Sequence, residues 1–402
     1  MEILIVTDSP YLFTGLGRIN RELIKHLSSQ GHDVKTACWG FDIMAYPKDD
    51  KNEWWYEYDE GVKIQVFPIQ KRLDQFLIQM YEILKCISFD IVITIGDHVD
   101  LCALSNVKSK LNYDFKWVPY FTVESMPLLE EFKSHFNYMD KVLTTSKFGK
   151  DVIENETGIG CVHIPLGVDL DEFYVMPDNE VKILREKKSL EGKFRLINVC
   201  KNQARKNIPA FMEALKILHD EDERFVGYLH TNENRKGYSG YDIRGLIKRF
   251  GLEGVLELPE KKIQHDMAVS DAILREEYNC SDAFVMTSVC EGFGLPLIES
   301  QACGLIPIGT NYSSIPELIG PYGETVDYQR YFAPMDQEVA IVNIFDLVGK
   351  IKKVFHQEDR IKKKKECSEF AKGYDWQKMN MAVENEVKRL GTKKRVPLEV
   401  LI

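Results

Sequence analysis

Residues 289–316 read VCEGFGLPLIESQACGLIPIGTNYSSIP, and this run decides the fold. Seven residues separate Glu291 from Glu299, and Gly292-Phe293-Gly294 directly follows the first. An apolar strand over residues 283–286 leads in, and residues 295–303, beginning at Leu295, read as the first turns of a helix. Strand, glycine-rich loop and helix in that order aim backbone N–H groups at a helix N-terminus, where anions are favoured. Glu291 then stands in the loop, and Glu299 one to two turns into the helix. One carboxylate accepts hydroxyl hydrogen bonds at one end of a ligand, the other holds a second polyol, and phosphates lie between. A sugar nucleotide has that layout.

Outward from this run, apolar strands alternate with helical patterns. A first series falls at residues 3–6, 34–37, 62–67, 91–95, 117–121 and 141–144, with a helix over 18–30. A second series falls at 194–199, 225–229, 255–258, 283–286 and 306–309. Such alternation predicts parallel sheets covered on both faces, with ligands at the carboxyl ends of the strands. The break lies at 164–188, where Pro165, Gly167, Pro177 and a charged run read as a connection.

Three cations, Lys201, Arg205 and Lys206, follow the strand at 194–199 and suit a diphosphate leaving group. Gly15-Leu16-Gly17 opens the first helix, but the loop before it is too long and the third glycine is missing for a dinucleotide fingerprint. Asp97 and His98 follow the strand at 91–95, and Glu124 follows that at 117–121, so all three should face a cleft. Asp169-Leu170-Asp171 has a metal-binding spacing, but its place in the connection argues against that use.

The run at 289–316 resembles the E-x7-E motif of retaining glycosyltransferases of family 4 (group 1), and the continuation ACGLIPIGTNYSSIPELI matches that family too. The resemblance implies the GT-B fold, α/β with two facing Rossmann-like domains, a cleft between them and a C-terminal helix crossing back to the first domain. It divides the chain into 1–168 (acceptor side), 169–372 (donor side) and 373–402 (returning helix). The segment IPLGVDLDEF would join the domains, and Tyr374-Asp375-Trp376 would open the last helix.

The family implies that Glu299 holds the donor ribose, while Glu291 and the Gly292–Gly294 backbone hold the sugar. Lys206 matches the lysine of its phosphate clamp. Lys201 stands where arginine is usual, keeping the charge but losing the bidentate fork. Gly15 and Gly17 would approach the donor phosphates, and Pro259 with Glu260 would flank the base. Either Glu124 or His98 orients the acceptor, since the histidine usual after the second of these strands is replaced by Phe121-Thr122-Val123-Glu124. The implied reaction moves a hexose to a glycan, glycoprotein or lipid-linked acceptor. GDP-mannose is favoured over UDP-glucose, and no cofactor or obligatory metal is expected. Rival readings on the same fold are a sugar-nucleotide epimerase or hydrolase, and a catalytically silent nucleotide-sugar binder.

Bulk properties agree. The 402 residues carry a formal net charge of −10, which argues against a nucleic-acid wrapper. The Lys362–Lys365 run reads as a solvated helix face. The amino terminus reads as a strand rather than a signal peptide, and no apolar run reaches the ~20 residues of a membrane span. Nine cysteines without a C-x-x-C pair suit free thiols in the cytoplasm. Peripheral membrane contact and a homodimer both stay open.

Overall fold

The computed structural model describes residues 1–43, 48–59, 61–97, 104–233, 240–259, 270–334 and 337–391. The first sheet contains β1 (Glu2–Asp8), β2 (Asp33–Trp39), β3 (Trp54–Asp59), β4 (Val62–Pro68), β5 (Ile91–Gly96), β6 (Lys116–Phe121), β7 (Val142–Thr144) and β8 (Cys161–His163). Its order is β3-β4-β2-β1-β5-β6-β7-β8. The second sheet contains β9 (Phe194–Val199), β10 (Phe225–His230), β11 (Leu256–Glu257), β12 (Ala283–Met286), β13 (Ile306–Thr310) and β14 (Glu324–Val326), ordered β11-β10-β9-β12-β13-β14. A separate antiparallel hairpin, β15 (Tyr328–Ala333) with β16 (Gln337–Val342), follows it.

The central strands are buried on both faces because helices cover both, and the two polar residues of β9 are paired there: Arg195 with Glu277 and Glu257, and Asn198 with the carbonyl of Val285. All six residues of β5 are buried, as are all six of β9. Burying each Ile, Val or Leu contributes roughly 1.5–3 kcal/mol, which fixes these strands in the middle of their sheets. In register, Ile3 of β1 lies beside Val34 of β2 on one side and Ile91 of β5 on the other. Strand order therefore reverses between β1 and β5 in the first sheet, and between β9 and β12 in the second. Both crevices at the carboxyl ends of these strands are ligand positions in such folds.

One apolar cluster runs through both halves. It includes Ile5, Ile93 and Leu143 of the first sheet, Leu166 and Phe173 of the connection, and Phe293 and Ile298 beyond it. The helix Trp376–Leu390 adds Trp376, Met379 and Val383 to the same cluster, so the chain does return to the first domain. Its Glu384 accepts from His26 of the first helix at 3.0 Å, and Glu386 pairs with Lys141 at 3.1 Å.

Several elements depart from the sequence reading. The first helix spans Gly15–Ser29, because Thr14 caps it by accepting from Gly17 N at 3.0 Å. It therefore starts three residues before the expected Arg18. β3 is an antiparallel edge on an otherwise parallel sheet. Within the connection, Asp178–Lys187 forms a helix, started by Pro177 and by Asp178 and Glu180 in its first turn. The eight cysteines among the described residues are free, and six of them are buried. No helix among the described residues is long and apolar enough to cross a membrane.

Candidate active site

The loop between β12 and the helix Leu295–Ala302 is held in place by the serines that follow β13. Ser313 Oγ accepts the N–H of Glu291 at 2.9 Å, and Ser314 Oγ donates to the carbonyls of Glu291 and Phe293 at 2.8 and 2.6 Å. The NYSSIP continuation thus shapes the Glu291 loop. Gly294, at φ 114°, ends the loop and starts the helix, a conformation glycine adopts without strain.

The turn after β9 is laced to the same loop. Val289 N donates to Arg205 O at 2.9 Å, and Thr287 Oγ1 reaches the carbonyls of Lys206 and Asn207 at 3.1 Å each. Lys206 and Arg205 consequently converge on Glu291, which is only 4% exposed. Lys206 Nζ bonds to Oε1, and Arg205 meets Oε2 at 3.1 Å. Burial pushes this carboxyl up, but the two cations outweigh it and hold it at about 2. Arg205 also reaches Glu124 of the first domain at 3.1 Å. Burial raises the Glu124 carboxyl above its ordinary value, with Glu291 and Asp97 adding to the rise and Arg205 and Lys206 opposing it. Four of the residues singled out in the sequence therefore form one cluster across the cleft.

Glu299 forms a second cluster. Arg18 of the first helix donates to its Oε1 at 2.9 Å, and Tyr278 OH donates to Oε2 at 3.2 Å. The same guanidinium forks onto Asp271 at 2.7 and 2.8 Å. Burial pushes the Glu299 carboxyl up against the pull of Arg18. Arg18, Asp271 and Tyr278 were not singled out in the sequence. Arg18 lies 281 residues from Glu299, and no local pattern reports that pairing.

The remaining candidates take varied places. A Cβ on Gly292 would lie 2.8 Å from Thr122 Cβ and 3.1 Å from its backbone, while Thr145 Oγ1 donates to Gly292 O at 2.8 Å. Gly292 is therefore the point where the Glu291 loop touches the first domain. A Cβ on Gly17 would lie 2.4 Å from Leu12 O, so its glycine is required by the loop of its own domain. A Cβ on Gly15 would meet Leu295 of the second domain at 3.5 Å. The Phe293 ring turns into the core against Tyr374, with centroids 6.1 Å apart. Lys201 is exposed on the cation turn, and Pro259 is half-buried after β11. His98 and Glu260 lie outside the described residues.

Asp169 Oδ1 accepts the N–H groups of Asp171 and Glu172 at 3.0 and 3.2 Å, so the first acid of the D-x-D closes a turn. Next to the Glu291 cluster lies a cavity of about 370 Å³, lined by Asp97, Glu124, Arg205 and Cys290 among others. Two acid–cation clusters at the facing carboxyl ends of two parallel sheets can hold a diphosphate and two polyols.

The serotype-specific mannosyltransferase WbdA of Escherichia coli is 30% identical over 159 residues, covering 37% of this chain and 18% of that protein. The chain thus matches less than a fifth of the length of this relative. Sucrose-phosphate synthase from Thermosynechococcus elongatus shares the fold over 97% of this chain and 99% of its own, with a TM-score of 0.76 at 16% identity. HepE from Anabaena, solved in complex with UDP and glucose, does so over 97% and 100%, with a TM-score of 0.70 at 13% identity. The fold is that of the two-domain glycosyltransferases, and residues 257–373 match the family model of the glycosyl transferases group 1.

Proposed function

We propose that the protein is a retaining hexosyltransferase of family 4, taking a hexose from a nucleotide-diphosphate sugar to a hydroxyl of a glycan, glycoprotein or lipid-linked acceptor. GDP-mannose is the favoured donor, with UDP-glucose next, and the mannosyltransferase relatives support that order. The observation that carries the reading is the grip of Lys206 and Arg205 on Glu291, with Glu299 held by Arg18 in a second cluster. Both acids are buried and both are tied to the first domain, Glu299 by Arg18 and Glu291 through Arg205 to Glu124.

In this reading residues 1–168 serve the acceptor, 169–372 the donor, and 373–402 return to the first domain. Glu299 accepts the ribose hydroxyls. Glu291 and the backbone of Gly292 and Gly294 hold the hexose, and Leu295 starts the helix that faces the phosphates. Lys206 and Arg205, with Lys201 at the mouth, move from carboxylate to diphosphate as charge develops on the leaving oxygen. The C1–O bond to the diphosphate breaks as the acceptor oxygen bonds C1 on the same face. The acceptor proton passes to the leaving phosphate oxygen. Glu124, placed beside Arg205, positions the acceptor hydroxyl. Cations and a helix N-terminus then do the work, without a metal or cofactor. A cytoplasmic setting suits the free thiols.

The test is proton NMR of the reaction of GDP-mannose with methyl α-mannoside. An α-linked product supports retention. A β-linked product overturns it, and free mannose as the main product with acceptor present favours a hydrolase.

A further inference from the structure

The hairpin β15–β16 is inserted between β14 and the helix Ile344–Phe355, and it stands over the cleft rather than in either sheet. Both domains pin it. Glu338 N donates to Met126 O of the first domain at 2.7 Å, Ala340 N to Val289 O beside the Glu291 loop at 2.9 Å, and Tyr312 OH to Glu338 O at 2.8 Å. Its register pairs Tyr331 with Val339 and Ala333 with Gln337. Strand side chains alternate between faces, so Tyr331, Ala333, Gln337, Val339 and Ile341 share one face, and these five line the cavity. The other face buries Ala340 and Val342.

The cavity is therefore two-sided. One wall is mostly apolar, with Tyr331 55% and Ile341 40% exposed and Gln337 as its polar member. The opposite wall carries Asp97, Glu124, Ser125 and Arg205. A pyranose ring has the complementary surface, an apolar C–H face and a rim of hydroxyls. An acyl chain would strip water from the carboxylates without replacing its hydrogen bonds. A volume of about 370 Å³ lies at the small end of ligand pockets, which suits a sugar ring rather than a whole glycan. Arg205 spans Glu124 and Glu291, so a ring held here lies next to the donor sugar.

We propose that this hairpin completes the acceptor subsite, with Tyr331 as the platform on which the acceptor sugar ring stacks. The inference rests on the glycosyltransferase reading and adds a specificity element supplied by the donor-side half of the chain.

The experiment is NMR titration of the full chain, saturated with its nucleotide sugar or nucleoside diphosphate, with methyl α-mannoside, methyl α-glucoside and methyl β-galactoside. At least one glycoside should bind. Tyr331→Ala should weaken it about tenfold, while Tyr331→Phe stays within about twofold because the ring remains. Nucleotide-sugar affinity should change less than about twofold in both variants, which also reports that they fold. Glycoside binding unaffected by Tyr331→Ala overturns the proposal. So does a wild type that binds a nucleotide sugar but none of the glycosides. A wild type that binds no nucleotide sugar removes the glycosyltransferase reading itself, and the subsite falls with it.

Discussion

Replacing Glu291 by Gln removes one negative charge from between two cations while keeping the side chain's shape. The Glu291 carboxyl is held at about 2 by Lys206 and Arg205, against about 4.3 in an unfolded chain. A difference of about two units corresponds to about 3 kcal/mol of stability at neutral pH. Because the folded value is the lower one, this contribution is present in full above about pH 5 and is lost as pH falls toward about 2. Urea denaturation followed by tryptophan fluorescence should therefore show Glu291→Gln less stable by about 3 kcal/mol at pH 7, with the gap narrowing by about half at pH 3. The same substitution releases the clamp cations from their internal partner. Free GDP or UDP should then bind about tenfold more tightly, even as sugar transfer slows. A loss under about 1 kcal/mol at pH 7 would refute the electrostatic part of this reasoning. Weaker binding of the free nucleotide would refute the assignment of Lys206 and Arg205 to the diphosphate.

Other substitutions test the contacts across the cleft. Arg18→Met leaves Glu299 and Asp271 without their shared cation and should cost about 3 kcal/mol in urea denaturation. A cost below about 1 kcal/mol would mean the two acids are served by water instead. Gly292→Ala drives a methyl group into Thr122 and should part the domains. Turnover should fall about tenfold to a hundredfold while affinity for the free nucleoside diphosphate, which lacks the hexose, changes little, and unchanged kcat would deny that this contact aligns the reaction.

Much of the architecture was legible because fully buried parallel strands are short apolar runs. β5 and β9 could hardly be read otherwise. The hairpin β15–β16 was missed because β15 is exposed along most of its length and carries Gln329 and Arg330 among its aromatics. It also interrupts the strand–helix alternation on which the reading relied. The helix Asp178–Lys187 buries no residue, so it left no apolar stripe in the sequence. At the site, the spacing of Glu291 and Glu299 and the basic turn at 201–206 were visible locally. Their partners were not. Glu124 meets Arg205, and Arg18 meets Glu299, only because two separately folded sheets face one another. Phe293 looked like a loop residue next to ligand, yet its apolar ring is better satisfied against Tyr374.

In the proposed function a nucleotide-diphosphate sugar binds in this cleft with its ribose on Glu299. Calorimetric titration of the wild type and Glu299→Ala with GDP-mannose and UDP-glucose, with chelator present, tests it most directly. One donor should bind the wild type, and the variant should lose about a hundredfold in affinity, the worth of two hydroxyl bonds to a carboxylate. Failure of the wild type to bind either donor, or equal binding by Glu299→Ala, would contradict the account.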